Sequence, residues 1–152
     1  MYRKGISALI INEDKKILIV NLISFQKHFF AIPGGGQEKG ETLDETAYRE
    51  IKEELGIDPS LLRYKCKSEK PLIFKFENPK ISKDGSEYMG SERHFFVFDF
   101  LGSDNDIKVA QDEVRAYKWV SFSELDKYLL FKNQLIETKN KVIEILGDML
   151  LD

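Results

Sequence analysis

The chain has 152 residues, 23 Lys and Arg against 26 Asp and Glu, and a net charge of −3. At that length one domain spanning residues 1–152 is expected, with enough core to fold without staples. One cysteine (Cys66) excludes an internal disulfide framework and a Cys-rich zinc site, two histidines (His28 and His94) argue against a His-based metal cluster, and the acidic balance argues against sequence-blind coating of nucleic acid.

From the N-terminus, residues 6–11 read as a buried strand, 12–16 as a turn and 17–20 as a second strand, together a hairpin. The first of these is also the longest apolar run, too short for a membrane span or most signal peptides, so a soluble cytoplasmic protein is expected. Residues 29–32 read as a short strand stopped by Pro33 and three glycines. Residues 42–55 carry the clearest helical signal: Thr42-Leu43-Asp44-Glu45 is a capping box, and Gly56-Ile57 is a C-terminal stop. Strands are expected at 62–67, 72–77 and 94–101, with 78–90 as a polar loop between the last two. Residues 116–120, with the sole tryptophan Trp119, read as the last strand. A short helix begins at Ser123. The spacing of Leu135, Val142, Ile145, Leu146 and Met149 predicts a closing amphipathic helix over 133–150. This order predicts an α/β (α+β) fold with a mixed sheet between helical layers.

On the first helix, Glu50, Glu53 and Glu54 stand at i, i+3 and i+4, so their carboxylates leave one face. Ala47, Ile51 and Leu55 form the adjacent apolar stripe, which puts the acids at the margin of a buried surface where repulsion is weakly screened. A divalent cation resolves that conflict, and hard oxygen ligands suit Mg²⁺ or Mn²⁺ better than zinc. Arg49 has Glu45 four residues before it and Glu53 four after, placing a guanidinium where it can hold a carboxylate in one rotamer. Gly34-Gly35-Gly36 lets the backbone approach a ligand closely. Taken as charges alone, the same residues also fit a solvated acidic face after a flexible turn.

The full spacing is more specific. Gly35, then Glu41, then Arg49-Glu50-Ile51-Lys52-Glu53-Glu54-Leu55-Gly56-Ile57 resembles the signature of the Nudix hydrolases at every defined position. The resemblance implies a three-layer α/β/α sandwich and Mg²⁺-dependent cleavage of a pyrophosphate in a nucleoside diphosphate linked to another group, with Mn²⁺ as a substitute. It makes Glu50, Glu53 and Glu54 metal ligands, Arg49 the residue that orients them, Gly35 a carbonyl donor and Glu41 a structural acid.

Weaker features resemble the RNA pyrophosphohydrolase and dinucleoside polyphosphate hydrolase group. These are Tyr2-Arg3 ahead of the first strand, Gly90 before Phe95-Phe96-Val97, Glu113 six residues before Trp119, and Phe131-Lys132. They imply a further metal ligand at Glu113, a base and phosphate contact at Phe131 and Lys132, and a phosphate contact at Arg3. Tyr88 is a candidate for base stacking. Phe131 also reads as a core aromatic, and Tyr88 as a loop residue packing locally. Departures from the group are Pro33-Gly34-Gly35-Gly36 in place of a Gln-containing turn, Ser24 for an upstream arginine, and Ile136 for an aromatic. The expected substrate is a dinucleoside polyphosphate or the 5′-triphosphate end of RNA. Pro71, near a proline of ADP-ribose-cleaving relatives, keeps ADP-ribose open, as well as an (oxidised) nucleoside triphosphate. A nucleotide-sensing module without turnover is the non-enzymatic alternative. The implied mechanism has two or three Mg²⁺ ions on Glu50, Glu53, Glu54 and Glu113, with Glu50 or Glu113 taking the proton of the attacking water.

Overall fold

Ten residues, Tyr2–Ile11, form β1 at the centre of a seven-stranded sheet in a computed structural model that describes residues 1–82, 84–131 and 135–147. β2 (Ile17–Leu22) follows, then β3 (Gly34–Gly36), the helix α1 (Leu43–Leu55), β4 (Leu62–Lys67), β5 (Leu72–Ile81), β6 (Glu87–Phe100) and β7 (Val114–Val120). Two further helices, α2 (Leu125–Tyr128) and α3 (Leu135–Leu146), complete the described chain. The strand order is β4-β6-β1-β2-β7, with β3 beside β1 and β5 beside β6. β1 and β6 run parallel and every other pair is antiparallel, so the sheet is mixed.

The near-continuous apolar run of β1 is what a strand covered on both faces requires. Ile6, Ala8 and Ile10 point to one side with Phe96 and Phe98, against Ala47, Ile51 and Leu55 of α1. Leu9 and Ile11 point to the other with Phe95 and Val97, against Leu125, Leu129, Val142 and Leu146 from α2, α3 and the segment between. The expected helix–sheet–helix layering is therefore present. No helix among the described residues is long and apolar enough to cross a membrane.

α1 begins as its sequence predicts. Thr42 caps it with the reciprocal Glu45 contact, and Gly56 ends it in the left-handed conformation at φ 64°. The strands 62–67 and 17–20 lie within the observed elements, and β7 begins two residues before the expected 116.

Three expectations change. Residues 29–32 do not form a strand; Ala31 makes only an isolated bridge to Val20, and the strand forms instead at Gly34–Gly36. Glycine's low strand propensity hid this, because β3 is held by its pairing with Gly5, Ile6 and Ser7 rather than by side chains. The expected loop 78–90 is largely a hairpin, since β5 runs on to Ile81 and β6 starts at Glu87, with a register shift between Lys75 and Lys80. Tyr88 is thus a half-buried strand residue, not a loop residue. Tyr2 and Arg3 likewise belong to β1 rather than preceding it. The helix expected over 133–150 is seen as Leu135–Leu146, and 133, 134 and 148–150 lie outside the described residues.

The end of α1 is pinned by the segment before β7: Lys108 donates its backbone N–H to the Leu55 carbonyl at 2.7 Å, and Ala110 to that of Glu54 at 3.1 Å. A Cβ at Gly56 would collide with the Lys108 carbonyl in addition to straining a positive φ. Gly56→Ala is therefore expected to destabilise the fold by more than the ~1 kcal/mol of the left-handed conformation alone. Urea denaturation of the variant measures it.

Candidate active site

β3 and α1 meet where the acids emerge. Arg49 is the organiser: its Nε donates to Glu41 at 2.5 Å, Nη2 to Glu41 at 3.0 Å and to the Gly36 carbonyl at 2.9 Å, and Nη1 to Glu50 at 3.0 Å and Glu53 at 3.2 Å. Its acidic partner before the helix face is Glu41, not Glu45. Glu45 is occupied with the helix cap, accepting from the Thr42 backbone at 3.1 Å. The Arg49 hydrogen bond holds the Glu41 carboxyl at about 2, while Glu41 raises the pKa of Arg49. Thr46 also donates to Glu41, at 2.9 Å.

Glu54 is in a different position. Its carboxyl is buried and, among the described residues, accepts one hydrogen bond, from the Gly34 N–H at 3.1 Å. Burial, then the Glu50 charge beside it, pushes its pKa up to about 8, with Glu113 adding to the effect. Burial also raises Glu50, against the pull of Arg49. Glu53 is half exposed and tied to Arg49. The described structure thus brings Glu50, Glu54 and Glu113 into one field, with Glu53 on the rim.

The glycines make this possible. A Cβ on Gly35 would collide with the Glu50 carboxyl, and one on Gly36 with the Arg3 guanidinium; on Gly34 it would stand 3.0 Å from Arg93 Nη1. Because successive residues of a strand face opposite ways, Gly34 and Gly36 carry the two arginines on one face and Gly35 carries Glu50 on the other. Arg93 is not among the site residues expected from the sequence. The strand expected from residue 94 starts one residue after it, whereas β6 includes it and sets it in alternation with Phe95 and Val97. The Arg93 guanidinium donates to the Ile6 carbonyl at 2.8 Å, and burial lowers its pKa against the pull of Glu54 and Glu50.

On the arginine face lies a cavity of about 380 Å³, lined by Ser7, Phe25, Phe30, Phe74, Phe76, Arg93, Phe131 and others. Phe131 is half-buried, edge-on to Phe25 at 4.7 Å and Phe29 at 5.1 Å, so it is both an aromatic-cluster member and cavity wall. Tyr88 does not line this cavity, and Lys132 lies outside the described residues. A larger hollow of about 1170 Å³, at the other end of β1 and β6 near Arg63, Asp99 and Trp119, contains none of the expected site residues.

A family model for the NUDIX domain matches residues 1–141. The chain belongs to the Nudix family. This Nudix chain is 35% identical to the RNA pyrophosphohydrolase of Pelagibacter ubique, over 95% of the chain and 94% of that protein. It is 29% identical to the one from Sphingopyxis alaskensis, over 88% and 87%. In fold it is similar to an Ap4A hydrolase of C. elegans (TM-score 0.70, 19% identity, 95% and 97% covered) and to the E. coli dihydroneopterin triphosphate pyrophosphohydrolase (TM-score 0.70, 19% identity, 95% and 97% covered).

Nudix hydrolases generally use a divalent metal. Among the described residues no three Asp, Glu, His or Cys side chains converge into a finished cation cage. The donor chemistry nevertheless fits a hard cation: the carboxyl of Glu54 is buried with no cationic partner among the described residues in hydrogen-bond contact, and Glu50 and Glu113 add negative charge against it.

The metal-free protein should show this in its pH dependence. A folded-state pKa of about 8 against an ordinary 4.5 means that, between those values, the folded chain holds a proton that the unfolded chain has released. Stability from this group therefore falls as pH rises through that window. Glu54→Gln keeps the acceptor for Gly34 and removes the charge. It is expected to match wild type near pH 4 and exceed it by roughly 1–3 kcal/mol at pH 9. Denaturant titrations across that range, with chelator, check it; an advantage that does not grow with pH would refute the buried uncompensated charge.

Proposed function

We propose that the chain is a Mg²⁺-dependent Nudix pyrophosphohydrolase acting on a nucleoside polyphosphate, most closely the 5′-triphosphate end of RNA or a dinucleoside polyphosphate, in the cytoplasm. The observation that carries the reading is the placement of the acids and the aromatic cavity on the two sides of one bare glycine strand. A nucleobase fits the cavity while its phosphates cross β3 toward the carboxylates. The RNA pyrophosphohydrolase relatives support the substrate class.

In this reading Glu50, Glu54 and Glu113 hold the cation with the Gly35 carbonyl, and Glu53 joins from the rim. When bound, the cation neutralises phosphate oxygens and lowers the pKa of a water. Arg49 fixes Glu50 and Glu53 in the required rotamers. Glu50 and Glu113 are the carboxylates available to take the proton of the water that attacks phosphorus as the anhydride bond breaks. Phe131 supplies an aromatic wall for the base, Arg3 a cation for the phosphates, and Lys132 a second one. Tyr88, away from the cavity wall, is left outside the substrate contacts.

The test is a product-resolved panel of triphosphorylated RNA, diadenosine polyphosphates, nucleoside triphosphates and ADP-ribose in Mg²⁺, repeated with chelator. Cleavage of the first two classes, abolished by chelation, is expected. Binding without turnover would instead favour a sensor, and preferred cleavage of ADP-ribose would overturn the substrate class.

Phe131 gives a second check. With two aromatic neighbours and one face on the cavity, Phe131→Ala is expected to weaken substrate binding by roughly 1–3 kcal/mol. Its stability loss should stay below the ~3–5 kcal/mol of a fully buried Phe→Ala change. KM and the denaturation midpoint, measured on the same variant, read both.

A further inference from the structure

Arg93 is in register with Gly5 on β1, yet its guanidinium lies beside Gly34 on β3. The side chain therefore crosses β1 at a residue that has no side chain to block it. Of its five N–H donors, one goes to the Ile6 carbonyl, and no carboxylate of a described residue pairs with it. Arg49 and Arg63, by contrast, each have acidic partners within 4.0 Å. No buried side-chain nitrogen or oxygen of the described residues lacks a partner. The nitrogens of Arg93 that make no such bond are therefore not sealed from solvent, and the side chain is part of the cavity wall. The guanidinium of Arg3, over Gly36 on the same face, places a second positive charge nearby and also has no ion-pair partner among the described residues.

A largely buried cation without an ion pair, attracted by Glu54 and Glu50 only from a distance and opposed by Arg3, is costly unless an anion in contact completes it. Its planar fork suits two oxygens of one phosphate. We propose that Arg93 is the specificity residue that grips a non-reacting phosphate of the substrate, on the cavity side of β3, between the nucleoside and the phosphorus attacked at the carboxylates. The inference rests on the nucleoside polyphosphate reading above and adds to it a fixed anion subsite on the face opposite the acids. The backbone bond to Ile6 holds the fork in place before substrate arrives, so the subsite selects for chain length: a substrate must have a phosphate to spare beyond those engaged at the carboxylates.

Calorimetric titration of inorganic tripolyphosphate in Mg²⁺ tests the subsite without any turnover. Wild type is expected to bind, Arg93→Gln to bind at least about tenfold more weakly, and Arg93→Lys to fall between because it keeps charge without the fork. Arg63→Ala, which removes an ion pair with Asp99 at the far end of the sheet, should stay within about twofold of wild type. In steady-state assays Arg93→Gln should raise KM by about tenfold with kcat within about threefold, and should lose any preference for longer phosphate chains. Arg93→Gln binding within about twofold of wild type, or no binding by wild type at millimolar tripolyphosphate, overturns the proposal. So does a fall in kcat at unchanged KM, or loss of a cooperative melt in both Arg93 variants, since each points to a structural role. If wild type cleaves no nucleotide, the catalytic reading fails while the titration still decides the subsite.

Discussion

The guanidinium of Arg49 donates to Glu41, Glu50, Glu53 and the Gly36 carbonyl, and these contacts join the helix to the glycine strand. Such charge-assisted bonds in a partly enclosed place are stronger than surface ion pairs. They hold two of the acids in fixed rotamers and fix the distance between α1 and β3. Without that tether, Glu50 and Glu53 would be long side chains free to turn toward water, and no cation could count on finding them. A lysine could meet one of these acceptors but not the fan of them.

Glu54 has no comparable partner among the described residues, and the difference divides the labour of the site. Arg49 satisfies the acids that need positioning, while Glu54, whose charged form burial and Glu50 disfavour more than Gly34 and Arg93 favour it, is the acid that a bound cation would stabilise as a carboxylate. The fold tolerates this because Gly34 donates its N–H to that carboxyl and the surrounding core is extensive on both sheet faces. Strain of this kind, concentrated at one carboxyl and supported by packing elsewhere, is typical of groups tuned for chemistry.

Across β3 the arrangement is reversed: cations and an aromatic cavity on one face, carboxylates on the other. A strand with side chains would have filled both faces itself. Three consecutive glycines leave the backbone as the only partition, so groups of opposite charge approach it from either side. The hairpin of β5 and β6 then closes the cavity with Phe74 and Phe76, using residues whose strand extends well past the aromatic core.

The capping box, the helix stop and the i, i+3, i+4 acids of α1 were legible in the chain because they are local: each depends on residues within one or two helical turns. Glu113 could be named only through its spacing to Trp119 in a family resemblance, and the structure brings its charge to bear on Glu54 by docking the segment before β7 on the end of α1. The glycine strand, the extended β5–β6 hairpin and the partnership of Arg49 with Glu41 rather than Glu45 were decided by tertiary pairing, which intrinsic propensity does not encode. Arg93 shows the distinction most sharply. In the sequence it is one cation among many at the edge of an aromatic run, and only the parallel register of β6 against β1 sets it opposite a glycine and lets it reach the site.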